Sequence, residues 1–219
     1  LALGARCLRR RVVSAERPSP RGIAYTDSKI RGESLVWGHR RRVKLPTVIL
    51  RPASVYGPGS RLLVLGLLEL LRQRKVILID GGKHNAGLTY VGNLVDAMLL
   101  AADNDAAVGQ AYNVSDDNDI TWRRYLDDLA AIAELPAPTK VMPYRRAYAR
   151  ASLWETYYRM RGRTERPPLT RLKVELMCSY QVFAEHKIRQ QLGFAPRVSY
   201  DDGMREVRAW LRRTGQILS

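Results

Sequence analysis

Cysteine is scarce, long apolar runs are missing and acidic residues are outnumbered. The 219 residues hold two cysteines, Cys7 and Cys178, far apart and without metal-ligand spacing. That argues against a disulfide framework or a zinc site, so no metal is expected, and it fits a reducing, cytoplasmic setting. No run of about 18 apolar residues occurs, which excludes a membrane-spanning helix by length. The longest apolar stretch, Leu62 to Gln73, is interrupted by Glu69. No secretory signal is legible, because "LALGARCLRRRVV" sets its charge on the wrong side of a very short apolar stretch. A first residue of Leu rather than Met suggests a fragment. No internal repeat or low-complexity tract is present.

Positive charge is abundant. Lys and Arg number 37 against 21 Asp and Glu, for a net charge of +16. Such a balance raises nucleic-acid or anionic-membrane binding. The arginines are dispersed, however, and no helix-turn-helix, finger or RNP pattern accompanies them, so nucleic acid is not expected. An anionic cofactor is the alternative use of the charge.

Periodicity divides the chain in three. Residues 1–22 read as irregular, with "ERPSPRG" loop-like. Over 23–135 short buried β-branched runs alternate with helical stretches: a helix at 25–41, strands in "PTVIL" and "KVILID", a helix at 62–73, then "LTYV", "GNLVDAMLLAADN" and "QAYNVSD". "RPASVYGPGS" at 51–60 reads as a loop, and Asp119 or Thr121 as the cap of the helix beginning "TWRRYL". This alternation predicts an α/β fold with a mostly parallel sheet. Residues 136–219 read as a mainly helical, substrate-side lobe. Within it, "RRAYARASLWETYYRMRGR" mixes six Arg with Trp154, Tyr157, Tyr158 and Met160. That composition fits either a helix lying on an anionic membrane or a lid whose aromatics pack inward while its arginines reach water.

Tyr25 and Lys29 carry the chemistry. At i and i+4 on a helix they share one face. A phenol alone is a poor base at neutral pH, and a neighbouring ammonium favours its ionised form. A tyrosine so placed can exchange a proton with a substrate hydroxyl or carbonyl while hydride moves to or from a nicotinamide. With 11 Tyr and 7 Lys in the chain, chance nearly supplies one such pair, so context must decide.

That context is "ILRPASVYGPGS", then "GGKHNAGLTYVGNLVDAMLLAA", "AYNVSD" and "KIRQQLGFAPRVSYDDGMREVRAWL". In order and spacing these resemble the extended short-chain dehydrogenases/reductases, also called NAD-dependent epimerases/dehydratases. "YVGNLVDA" is most similar to the 3β-hydroxysteroid dehydrogenase branch, with Asn93 where sugar-nucleotide epimerases usually carry Asp. The resemblance runs from Ala24 to Leu211. It implies the C-terminal portion of a Rossmann-like doubly wound parallel sheet plus a mainly helical substrate lobe. It also implies NAD(P)-dependent oxidoreduction of a secondary alcohol or ketone on an apolar, steroid-like small molecule.

By the same resemblance Tyr25 is the general acid/base and Lys29 holds the nicotinamide ribose. Pro52, Ala53, Ser54 and Val55 lie against the carboxamide. Tyr56, Tyr90, Val91 and Asn93 line or buttress the substrate wall, Asn93 being equally readable as a helix N-cap. Glu33 and Arg51 are scaffold residues, His84 and Asn85 belong to a turn before the wall, and Ser14 is the candidate catalytic serine. The family commonly dimerises through the helix at 25–41, and the basic helix suits peripheral membrane contact.

The glycine-rich turn that cradles a dinucleotide pyrophosphate in this family, G-x-x-G-x-x-G, occurs nowhere in the 219 residues. A nucleotide-sugar epimerase or dehydratase, and an inactive remnant lacking its phosphate-binding half, are therefore the alternative readings. The chain alone is expected to bind NAD or NADP with weaker than micromolar affinity. Calorimetric titration checks this, and micromolar affinity for NADH contradicts it.

Overall fold

The computed structural model describes residues 11–13, 24–116, 118–162, 167–178, 181–183 and 185–218. The first long element, α1 (Ala24–Val43), runs antiparallel into β2 (Ile49–Pro52), which continues almost without a break as β3 (Ser54–Tyr56). β2 pairs in parallel with β6 (Ala111–Val114), and β3 with β5 (Leu88–Tyr90). The chain from 49 to 56 thus changes partner midway, with the Ala53 amide donating to Val114 O and the Ser54 amide to Gly87 O. The expected loop at 51–60 is in this part a strand. Its proline and glycines suggested a turn, but pairing with β5, thirty-odd residues away, holds Ser54–Tyr56 extended.

Every strand pair among the described residues is parallel. Helices supply the connections, as parallel pairing requires: α2 (Leu67–Arg72) entered through a π-helical turn at Arg61–Gly66, α3 (Val91–Ala102) and α4 (Trp122–Ile132). Thr121 caps α4, its hydroxyl accepting the Arg124 amide. Two short pairs tie distant segments together. β4 (Leu78–Ile79) pairs with β7 (Val141–Met142), and β1 (Arg11–Val13) with β8 (Gln181–Phe183). The 1–22 segment, expected to be irregular, therefore contains a strand, and the C-terminal lobe shares sheet with the rest. That lobe is otherwise helical: α5 (Tyr144–Met160), α6 (Arg171–Cys178), α7 (His186–Leu192) and α8 (Tyr200–Arg213).

The main core forms where α2, α4 and α8 cover the strands, around Leu68, Leu78, Leu88, Leu126, Leu129, Val207 and Leu211. Tyr56 lies fully buried at its centre, with ring centroids of Tyr90, Tyr125 and Tyr200 at 5.6, 5.9 and 5.9 Å. Two glycines make this aromatic packing possible. Gly57, at φ +139°, has no room for a Cβ, which would sit 2.6 Å from Val91 Cγ1. A Cβ on Gly203 would lie 2.6 Å from the Tyr56 hydroxyl, so α8 approaches the tyrosines with its bare backbone. No helix among the described residues is long and apolar enough to cross a membrane.

Candidate active site

Tyr25 lies in the first turn of α1, 59% exposed, with the Lys29 ammonium 5.4 Å from its ring centroid. Glu33 extends the same face one turn further, and it fixes the direction of that face. Arg51, next to the last residue of β2, donates from Nε to Glu33 Oε2 (3.0 Å) and from an η nitrogen to Glu33 Oε1 (2.5 Å). This two-pronged ion pair is largely shielded from solvent, and Trp37 Nε1 adds a 3.3 Å bond to the same carboxylate. Eight residues of helix, about 12 Å, separate Glu33 from Tyr25. The Arg40 guanidinium lies beside Gly109, whose amide donates to Thr47 O just before β2, so α1 runs antiparallel to β2 and its first turn, with Tyr25, points toward the carboxyl end of the strand. Ligands of open α/β sheets bind there.

Pro52, Ala53, Ser54 and Val55 follow Arg51 directly, Pro52 exposed and the others half-buried. The Ala53 and Ser54 amides are spent on the neighbouring strands. Among the described residues no hydrogen bond or ring contact joins this loop to Tyr25 or Lys29; the Glu33–Arg51 pair is the link. A groove of about 600 Å³ runs along the other half of α1, lined by Leu35, Val36, His39, Arg40 and Leu45 among others, and does not include the Tyr25–Lys29 face. Ser14 falls outside the described residues.

The expected substrate wall is placed differently. Tyr56 is a core residue, its hydroxyl bonded to Tyr200 O at 3.4 Å. Burial, then the nearby Asp116 carboxylate, raises its pKa far above the usual phenol value. Burial likewise raises Tyr90, Tyr125 and Tyr200, and the last also feels Asp128, which accepts its hydroxyl proton at 2.8 Å. These phenols stay protonated and structural. Asn93 is fully buried in the first turn of α3, but Tyr90 occupies the N-cap position, so the capping alternative falls. The Asn93 amide instead clamps an adjoining segment. Oδ1 accepts the backbone amides of Arg197 (3.1 Å) and Val198 (3.0 Å), and Nδ2 donates to Val198 O (2.9 Å). Asn85 secures its own turn, donating to Asn118 O and accepting the Gly87 amide.

Sequence reasoning missed Asp116. Its Oδ2 accepts the Tyr90 amide at 2.7 Å, which holds the start of α3. Burial pushes its pKa up to about 6, against the opposing pull of the Tyr90 and Asn93 hydrogen bonds. A carboxyl whose folded pKa is raised binds its proton more tightly when folded. The contribution to stability is therefore full below about pH 4 and is lost as pH rises through about 6. A shift of this size corresponds to at most about 3 kcal/mol, reduced here by partial solvent contact. Unfolding midpoints are expected to fall between pH 4.5 and 7.5, and Asp116→Asn, which can still accept the Tyr90 amide, is expected to flatten that slope. An unchanged slope in the variant contradicts this.

Parallel strands joined by helices, with a Tyr–Lys pair on the helix that returns onto β2, are those of a Rossmann-like α/β protein of the short-chain dehydrogenase type. The chain belongs to the 3-beta hydroxysteroid dehydrogenase/isomerase family, whose sequence model matches residues 14–133. It is 32% identical over 172 residues to the 2-alkyl-3-oxoalkanoate reductase of Stenotrophomonas maltophilia, covering 75% of this chain and 51% of that protein. It is 28% identical over 198 residues to the decarboxylating sterol-4-alpha-carboxylate 3-dehydrogenase of Saccharomyces cerevisiae, covering 86% and 56%. The fold matches UDP-glucuronic acid 4-epimerase from Bacillus cereus with a TM-score of 0.66 at 16% identity, over 94% of this chain and 57% of that one. The chain spans about half the length of the curated relatives it matches.

Proposed function

We propose that the chain carries the catalytic helix and substrate side of an NAD(P)-dependent oxidoreductase acting on a secondary alcohol or ketone. The observation that carries this reading is the exposed Tyr25–Lys29 pair on α1, the helix tied to β2 by the Glu33–Arg51 ion pair. A bound nicotinamide supplies or accepts the hydride at the carbinol carbon. In the reducing direction the Tyr25 hydroxyl donates its proton to the carbonyl oxygen as that oxygen gains charge, and the Lys29 ammonium stabilises the phenolate left behind. In the oxidising direction Tyr25 takes the proton back. Lys29, with its three donors, also suits the ribose hydroxyls of the cofactor. The residues present thus fit the nicotinamide and ribose end of NAD or NADP, while the 219 residues contain no glycine-rich turn for the pyrophosphate.

The relatives' names narrow the substrate. A 2-alkyl-3-oxoalkanoate and a sterol 4-carboxylate reacting at carbon 3 both place the reacting carbon beside a carboxylate-bearing one, on an apolar skeleton. An apolar 3-oxo or 3-hydroxy acid is therefore the substrate class, and a chain of net charge +16 suits its carboxylate. Hydride transfer from NADH or NADPH to such an acid tests the reading, using the chain joined to a phosphate-binding half.

α5 favours contact with an anionic membrane surface. Leu153, Tyr157 and Met160 fall on one helical face and are 72, 44 and 82% exposed, with Arg146, Arg150, Arg159 and Arg161 on the same helix or just beyond it. Co-sedimentation with anionic vesicles is expected to persist in salt and to be lost in Leu153→Glu/Met160→Glu. Equal sedimentation of the variant contradicts it. On α1, exposed Leu35 and Val36 offer the apolar contact that pairing of two copies through this helix needs.

A further inference from the structure

We propose that Asp80, His84 and Cys178 form a binding site for a divalent transition-metal ion of the zinc type. The site shares no residue with the Tyr25–Lys29 face and does not depend on the oxidoreductase reading. Linear spacing of cysteines suggested no metal; folding brings the three residues together from two remote segments. Asp80 and His84 flank the turn after β4, and Cys178 is the last residue of α6. One ligand atom from each lies within 4.8 Å of the other two.

His84 is the decisive member. It is 6% exposed, and its Nε2 is buried without a hydrogen-bond partner. Asp80 Oδ2 is 3.6 Å away, beyond hydrogen-bond reach. A buried polar nitrogen left in this way keeps its desolvation cost uncompensated. A metal ion shared with Asp80 removes that cost. Two nitrogen or oxygen ligands of a tetrahedral zinc ion lie about 3.3 Å apart, and a sulfur–nitrogen pair about 3.5 Å. Small side-chain rotations close the observed set onto an ion.

The frame is fixed around these atoms. Asp80, Gly81 and Gly82 have φ of 49°, 74° and 71°, and a Cβ on Gly82 would lie 2.7 Å from Leu78 Cδ2 and 2.9 Å from Arg123 N. The second oxygen of Asp80, Oδ1, accepts the Tyr144 amide at 2.9 Å, which sets the carboxylate plane with Oδ2 3.6 Å from His84 Nε2. Cys178 is 1% exposed among Ile79, Ala147, Ala151 and Val174, a dry setting that favours a neutral metal–ligand set over an isolated charge. Thiolate, imidazole and carboxylate together match the borderline-soft Zn²⁺ and its spectroscopic substitute Co²⁺, and disfavour Mg²⁺ and Ca²⁺, which take oxygen ligands. Binding releases the Cys178 thiol proton, and a water completes four-coordination. The ion fastens the turn after β4 to α6, the helix that leads into β8. It is a staple between the sheet and the helical lobe.

The experiment is titration of the reduced, metal-free 219-residue chain with Co²⁺. A near-ultraviolet thiolate-to-cobalt charge-transfer band is expected to saturate at one equivalent, to bleach with Zn²⁺ and to vanish in guanidinium chloride. The chain has two cysteines, so Cys7→Ser is read first: a band that survives it comes from Cys178, whether or not Cys178→Ser folds. His84→Gln is expected to weaken Co²⁺ binding by at least about tenfold to a hundredfold, no less than loss of a supporting group would. Absence of the band, its loss in Cys7→Ser, its persistence in denaturant, or undiminished affinity in His84→Gln each overturns the site.

Discussion

Replacing Tyr25 by Phe is expected to lower turnover about 10²–10⁴-fold, the range that a positioned general acid/base supplies. The substitution removes one oxygen from a side chain that is 59% exposed and carries the Lys29 ammonium over its ring. The fold is therefore expected to survive, and thermal midpoints of wild type and variant to agree. The other tyrosines near the strand ends are poor substitutes. Tyr56, Tyr125 and Tyr200 lie in the core with hydroxyls committed to Tyr200 O, Leu63 O and Asp128, and burial holds them protonated. The measurement is steady-state reduction of an apolar 3-oxo acid by the chain joined to the phosphate-binding half of a related reductase. Turnover in Tyr25→Phe within tenfold of wild type contradicts the role. Lys29→Met is expected to raise KM for the cofactor as well as to lower kcat, because it removes both the ribose donor and the charge beside the phenol.

The second large effect is on stability. Asn93→Ala is expected to destabilise the fold by about 3–5 kcal/mol, since three part-buried hydrogen bonds of a fully buried side chain vanish and the amides of Arg197 and Val198 and the carbonyl of Val198 lose their partner. For a chain of this size that corresponds to a fall of roughly 10 °C in Tm. Asn93→Asp is informative beside it. The carboxylate can still accept both amides but cannot donate to Val198 O, and it brings a second negative charge beside half-buried Asp116. Its destabilisation is expected to grow as pH rises through about 6, the pKa to which burial pushes Asp116. Thermal melts of both variants between pH 5 and 8 check this. An Asn93→Ala midpoint within about 2 °C of wild type, less than 1 kcal/mol for this size of domain, contradicts the clamp.

Local signals in the sequence were enough for α/β alternation and for most of the helices, α6 (Arg171–Cys178) excepted. α1 and α5 fall close to their expected limits, and Thr121 caps α4 as its side chain predicts. What pairing decides was hidden. Ser54–Tyr56 looked like a turn because Pro52, Gly57, Pro58 and Gly59 surround it, and only β5 makes it a strand. β1 is the β-like "RVV" of a segment otherwise read as irregular, and its partner lies some 170 positions away. At the site, Tyr25 and Lys29 were legible because helix geometry alone puts i and i+4 together. Glu33 and Arg51 were recognisable as scaffold, while the ion pair between them depends on how α1 returns onto β2. Tyr56, Tyr90 and Asn93 mark where motif and packing part company. Their places in the chain suggested residues that line or buttress a substrate wall, and the return of α8 and of residues 197–198 leaves them buried, which fits buttressing rather than lining. Asp116 gave no signal, since its raised pKa arises from burial by elements remote in sequence, and the same is true of the meeting of His84 with Cys178.

Transfer of label tests the assigned chemistry most directly. With NADH or NADPH deuterated at the nicotinamide C4 position, the chain joined to a phosphate-binding half is expected to deliver deuterium to the carbinol carbon of an apolar 3-oxo acid. Tyr25→Phe is expected to suppress that product while leaving cofactor binding within a few-fold of wild type. Deuterium that appears equally with Tyr25→Phe, or none at all from a complex that demonstrably holds cofactor and acid, would contradict it.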